Sequence, residues 1–297
     1  MKHQSALKGL IPPIFMLALF AVLMGLFYET PGEPYALTSF RGEQVMINGH
    51  GLYYYDTVST VVQMQGNDII TLFVGLPLLA FSAWLAGVYP AQRGGSLRGQ
   101  LLLTGTLGFF LYTYMSMSVL TAYNALFLVY VALFAMSLYA FILSMLSFDL
   151  ADLPRHFSEK LPRGWIAAVL FAVGGFLSLA WVGRVVPEML NPQAPAALEN
   201  TTTRVIQAMD LALIVPLAIL SGILLLRRSA WGYLLASVTV LKGLTMALAV
   251  STMAINMALK GVPDSLGIMI PFLVLTALNL VMALLLMKNI NTEVIPV

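Results

Sequence analysis

Ile206-Gln207-Ala208-Met209-Asp210-Leu211 opens an apolar run that reaches Leu226, breaks at Arg227-Arg228-Ser229-Ala230-Trp231-Gly232, and resumes through Leu241-Lys242-Gly243 to Leu259. Each of the two segments is long enough to cross a hydrocarbon layer about 30 Å thick, so together they read as transmembrane helices joined by a tight basic turn. Lys242 then falls near mid-membrane, where a lysine without partner or water costs roughly 3 to more than 10 kcal/mol. It is the most expensive residue in the chain, and a functional reading starts from it.

The rest of the composition fits the same solvent. Of 297 residues, 60% are hydrophobic and 9% charged, and mean hydropathy is +0.89, whereas soluble domains carry about a quarter charged residues. The formal charge of +2 is spread over short connectors, which excludes the clustered basic surface that nucleic acid requires. There is no Cys, so disulfides, thiolate metal sites and Cys nucleophiles are excluded together. His3, His50 and His156 all fall outside the apolar segments, which argues against haem held by paired intramembrane histidines. No cofactor and no metal site is expected, and membrane lipids are the one certain partner class for such a surface.

Eight spans are predicted, at about 10–28, 68–88, 99–121, 124–148, 165–186, 206–226, 231–259 and 266–287, within a single integral membrane domain covering 1–297. The first follows Lys2 and Lys8 but runs past the length of a signal-peptide core and lacks a small-x-small cleavage site, so it reads as a retained helix. The fold class is therefore all-α, a polytopic helical bundle. Threading the spans alternately places Lys2, Lys8, Arg93, Arg98, Arg155, Lys160, Arg163, Arg227, Arg228 and Lys288 on one side and only Arg41, Arg204 and Lys260 on the other. The positive-inside tendency makes the first side cytoplasmic, with both termini inside and the 29–67 loop outside.

Within that outer loop, Glu43-Gln44-Val45-Met46-Ile47 and Leu52-Tyr53-Tyr54-Tyr55 flank Asn48-Gly49-His50-Gly51. Asn-Gly supplies the positive φ of a tight turn, so a small β-hairpin is expected there. Its tyrosines suit the headgroup level, and the loop is also a candidate contact for a protein partner.

The two halves answer each other. Asp68-Ile69-Ile70 with Pro77-Leu78 matches Asp210-Leu211 with Pro216-Leu217, and Arg98-Gly99-Gln100-Leu101-Leu102 matches Trp231-Gly232-Tyr233-Leu234-Leu235. With four helices per half the halves share one topology, which gives a parallel 4+4 pseudo-repeat.

Gly51-Leu52-Tyr53-Tyr54-Tyr55-Asp56, the run Asn124–Phe134, and Gln207-Ala208-Met209-Asp210-Leu211 with Trp231-Gly232-Tyr233-Leu234 resemble a family of uncharacterised prokaryotic eight-helix membrane proteins. That resemblance implies the same topology and a prokaryotic membrane, and carries no activity, cofactor or active site with it.

Counting about 1.5 Å per residue, Lys242 lies roughly 17–20 Å above the inner boundary, with Asp210 and Arg184 at roughly 25 Å and Asp68 in the same outer layer. A lysine stem reaches about 6 Å, so Lys242 can meet Asp210 if their helices are neighbours. A charged ligand-binding cluster of Asp68, Arg184, Asp210 and Lys242 is expected, opening outward to a small ion, a polar solute or a lipid. The competing reading has the aspartates complementing helix N-termini, Arg184 snorkelling, and Lys242 making one structural ion pair. Tyr130, Ser137 and Ser144 share a helix face and are read, with Asn256 and Asn279, as interhelical hydrogen-bond groups; Met246, Met253 and Met257 are read as packing. No phosphate-binding loop, Gly-x-Ser-x-Gly or His-Glu-x-x-His is present, so an enzyme ranks below a transporter or a non-transporting sensor or assembly subunit.

Overall fold

A computed structural model describes residues 2–89, 95–191, 198–261 and 265–291. Among the described residues, eight helices are long and apolar enough to cross a membrane. They are α1 (Gln4–Phe27), α2 (Val58–Leu85), α3 (Leu97–Leu120), α4 (Phe127–Met145), α5 (Arg163–Leu190), α6 (Val205–Leu226), α7 (Ala230–Leu259) and α8 (Ser265–Lys288). The expected all-α bundle is what the chain forms.

Helices α3 and α7 occupy the centre, with 67% and 61% of their most apolar windows buried, against 28% for α4. Their sequences permit this, because small residues let backbones approach. A Cβ on Gly105 of α3 would come within 2.5 Å of Leu241 Cβ on α7, and one on Gly66 of α2 within 2.6 Å of the Met253 Cα. Around this centre the outward faces carry Phe81, Trp84, Leu128, Leu179 and Leu190, all exposed as lipid-facing side chains are.

Helix α2 begins ten residues earlier than the apolar run suggests. Thr57 caps it, its hydroxyl accepting from Thr60 N, and the polar stretch Ser59–Asn67 is helical. Its burial against α7, with Asn256 Nδ2 donating to Val62 O at 2.7 Å, offsets the low hydropathy that hid it. Asp68 therefore lies well inside the helix and not at its head.

The outer loop also differs from expectation. The hairpin pairs β1 (Tyr35–Thr38) with β2 (Gln44–Ile47) in antiparallel register, and the turn is Ser39–Glu43. There the Ser39 hydroxyl accepts from Arg41 N and Glu43 N, and Gly42 takes the positive φ. Gly49 takes the expected positive φ, but the Leu52–Tyr55 stretch that Asn48-Gly49 was expected to pair is not a strand. It folds as successive turns, closed by Asn48 N donating to Asp56 O and by the Ile47–Thr57 bridge.

Helices α2 and α6 each contain one π turn. Leu76 N–H donates to Thr71 O and Val215 N–H to Asp210 O. In each case a proline, Pro77 or Pro216, follows at the start of the next helical stretch, where its missing N–H already breaks the regular ladder. Setting Pro77 on Pro216 puts Ser82 on Ser221, both fully buried. The inner turns repeat as well: Ser96 and Ser229 are N-caps, and a Cβ on Gly99 or Gly232 would lie 2.3 or 2.2 Å from the backbone of the preceding helix. The sequence match at Gly99 and Gly232 thus coincides in space. The match of Asp68 to Asp210 does not, since the prolines place Asp210 on Thr71 and Asp68 on Gln207.

On the terminal side, Asn291 N donates to His156 O, and Arg98 donates to Ile290 O. Lys2, Gln100, Asp149, Asp152 and His156 line a cleft of about 260 Å³ there. Arg93 lies outside the described residues.

Candidate functional site

Lys242, buried on α7, lies against α3. Gly108 leaves room for it, since a Cβ there would touch the lysine Cγ at 3.4 Å. One turn further along α3, Tyr112 presents its ring, and Lys242 Nζ sits 4.1 Å from the ring centroid. The Tyr112 hydroxyl continues outward and donates to Asp210 Oδ1 at 2.6 Å, while Trp181 Nε1 of α5 donates to Asp210 Oδ2 at 2.9 Å. Asp210 is at the π turn of α6, and its own carbonyl closes that turn. Four helices therefore converge on one carboxylate and one ammonium.

The expected meeting of Lys242 and Asp210 is thus made through Tyr112. The carboxylate is the charged neighbour of the lysine, but the two form no ion pair within 4 Å among the described residues. Both oxygens of Asp210 are engaged by neutral donors. The ammonium donates no hydrogen bond among the described residues and has only the ring face beneath it. A desolvated cation–π contact contributes about 2 kcal/mol, which does not offset the roughly 3 to more than 10 kcal/mol cost of a lysine at this depth. The remaining attraction is directed at whatever oxygen next approaches Nζ.

Two of the four expected members stand elsewhere. Arg184 is half-exposed on α5, 3.9 Å from Glu188, which also binds Arg204. Its partners are thus those of the α5 end and the α5–α6 loop, and it does not reach Asp210 or Lys242. Asp68 is buried among α1 to α4. Its Oδ2 accepts at 2.8 Å from the Tyr53 hydroxyl, which drops inward from the outer loop. Gly25 of α1 makes that possible, since a Cβ there would stand 2.2 Å from Oδ2 and 2.6 Å from the tyrosine oxygen. Burial, and then the Asp68 charge, push the Tyr53 phenol well above its usual value, so it remains a donor. Tyr114 and Tyr130 are both 2% exposed and sense the same carboxylate.

The groups read as helix glue divide. Ser144 Oγ meets Thr104 Oγ1 at 2.6 Å and Asn256 ties α7 to α2, whereas Asn279 bonds within its own helix and the Ser137 and Tyr130 hydroxyls have no partner among the described residues. Tyr112 and Tyr114 were visible only as polar residues of α3, and Trp181 carried no signal. Gly25 carried none either.

At the loop surface, Asp56 Oδ1 accepts from Ala122 N at 2.9 Å while Oδ2 has no partner among the described residues. Burial raises this carboxyl to about 7 against the pull of the Ala122 amide, and Glu199 adds to the rise. Glu199 itself accepts from the hydroxyls of Thr57 and Thr60 at the start of α2, which fastens the α5–α6 loop to the hairpin side. Among the described residues no three His, Asp or Glu side chains converge as a metal site would need. Comparison with protein-family models, curated proteins and solved structures gives no match for this chain.

Proposed function

We propose that the chain is a multi-pass protein of a prokaryotic cytoplasmic membrane, with both termini on the cytoplasmic side, that binds and transports a small anionic or polar solute at the Lys242–Tyr112–Asp210 group. The observation that carries this reading is the ammonium of Lys242, enclosed at mid-depth with its N–H donors unspent while its acidic neighbour is already bonded to Tyr112 and Trp181. A ligand carboxylate or phosphate oxygen would find a fixed cation in a medium of low dielectric, where attraction is strong. The nearby Asp210 keeps the local sum of charge near zero when the site is empty, so that loading with an anion changes it. The cytoplasmic placement of the termini rests on the excess of Lys and Arg around the terminal-side connectors.

The test is uptake by proteoliposomes, and thermal stabilisation of the purified protein, with a panel of small mono- and dicarboxylates and inorganic phosphate. Wild type is expected to respond to at least one of them, Lys242→Met to none, and Asp210→Asn with changed affinity. A wild type indifferent to the whole panel, or a Lys242→Met protein that responds like it, overturns the proposal.

A second reading, a non-transporting sensor or assembly subunit, has one observation in its favour. The hairpin carries Phe40 at 89% exposure beside the exposed Tyr35, Leu37 and Met46. It is tested by removing residues 35–47 and asking whether a co-purifying protein is lost. An intramembrane lipid enzyme ranks last, because the one carboxylate near Lys242 has both oxygens engaged.

A further inference from the structure

The surroundings of Asp68 pose a separate problem from those of Lys242. Its side chain is 3% exposed, and among the described residues no Lys, Arg or His forms an ion pair with it. One hydrogen bond to Oδ2 is all it accepts among the described residues. Beside it stand two further phenols, Tyr114 and Tyr130, whose oxygens have no partner among the described residues. Tyr130 also lies near Tyr53 and Asn124, so four elements direct oxygen atoms toward one place. The rings are held by their neighbours, Tyr114 over Tyr130 at 6.5 Å and against Phe110 at 6.1 Å. A buried hydroxyl without a partner is a cost of about 1–3 kcal/mol, and here two such hydroxyls adjoin an uncompensated carboxylate. Gly25 gives up a side chain so that the group can assemble.

We propose that Asp68 and the hydroxyls of Tyr53, Tyr114 and Tyr130 form a binding site for a small monovalent cation, sodium in particular. The donor set is all oxygen, which selects a hard cation over a soft one. It contains a single charge, so a monovalent ion leaves the site neutral while a divalent ion leaves a net positive charge in hydrocarbon, which is costly. The phenols supply lone pairs to the ion when their protons turn away from it. The close fit at Gly25 favours a small ion over potassium. Because the residues belong to the first half of the chain and Lys242 to the second, this site stands whether or not an anion binds at Lys242.

The experiment uses the full-length protein in detergent, at about pH 8, a unit above the Asp56 value, so that the Asp56 carboxyl is not also titrating. Unfolding temperature is followed while sodium chloride replaces choline chloride at constant ionic strength, with potassium chloride as comparison. Sodium is expected to raise the unfolding temperature by several degrees in a saturable way, by linkage of binding to the folded state, with potassium much weaker. Asp68→Asn is expected to abolish the shift. Tyr114→Phe and Tyr130→Phe keep the ring packing and are each expected to weaken the half-saturating sodium concentration roughly tenfold, which preserves the test should Asp68→Asn fail to fold. Lys242→Met is expected to retain the full sodium response, so failure of the anion site and failure of this one are told apart. A wild type equally stable in sodium and choline overturns the proposal, as does a stability that follows pH alone, which would mean that only a proton occupies Asp68. A sodium shift unchanged in both tyrosine variants overturns it too.

Discussion

Asp56 is the residue whose charge state is open to direct experiment. Its carboxyl is raised to about 7 by burial, with Glu199 adding to the effect and the Ala122 amide opposing it. A folded-state value above the unfolded one means that the folded protein holds the proton more tightly, so the stabilisation is fully present below the unfolded value and is lost as pH rises through about 7. The unfolding temperature is therefore expected to fall between about pH 4 and pH 7 in wild type and to flatten in Asp56→Asn; equal slopes in the two proteins would remove the assignment. Gly25 makes a steric prediction. A methyl group there meets Asp68 Oδ2 and the Tyr53 hydroxyl at 2.2 and 2.6 Å, so Gly25→Ala should cost about 1–3 kcal/mol as an overpacked contact. It should also speed proteolysis between Tyr28 and Thr57, because the displaced tyrosine no longer anchors the loop.

At the level of helices, the π turn of α6 is what aims Asp210. Pro216→Ala returns an N–H and allows a regular ladder, and alanine is the better helix former by about 3 kcal/mol. The gain comes with a rotation of about 100° per residue of register, which takes Asp210 away from Tyr112 and Trp181. The variant is expected to be no less stable than wild type yet to show a shifted Trp181 emission, isolated by a Trp181→Phe control, and weakened anion response. Unchanged emission would mean that the proline does not set the register. What the sequence revealed of these elements follows the same physics. Apolar length located all eight spans, but the Ser, Thr, Gln and Asn of Val58–Asn67 look like loop until α7 is placed over them. The Asn-Gly rule located a positive φ at Gly49 but not the hairpin, whose turn depends on the Ser39 hydroxyl instead. Counting residues assigned Lys242, Asp210, Asp68 and Arg184 to one layer. It could not say which helices are neighbours, and so it merged two separate groups and drew in an arginine that pairs with Glu188 instead.

For the molecule as a whole, the absence of cysteine in the native chain makes its orientation easy to test. Phe40 is 89% exposed on the hairpin, and the Glu159 side chain is 80% exposed on the opposite side. With a membrane-impermeant maleimide on intact cells, Phe40→Cys is expected to label and Glu159→Cys to label only after lysis; the reverse pattern would turn the protein over in the membrane. The two halves share their π turns, prolines and serine-capped inner turns, but their charges have diverged. In the register set by Gly99 and Gly232, Lys242 falls where the first half has Phe109, and in the register set by Pro77 and Pro216, Asp68 falls where the second has Gln207. Unlike charges thus occupy unlike places on a common frame. Tyr53 adds a consequence of another kind, because it belongs to the loop and not to any helix. A single phenol stitches a flap to a carboxylate in the interior, so pulling on the flap unpicks the interior. An antibody fragment that grips the 35–57 segment would therefore disturb Asp68 without touching any of the helices.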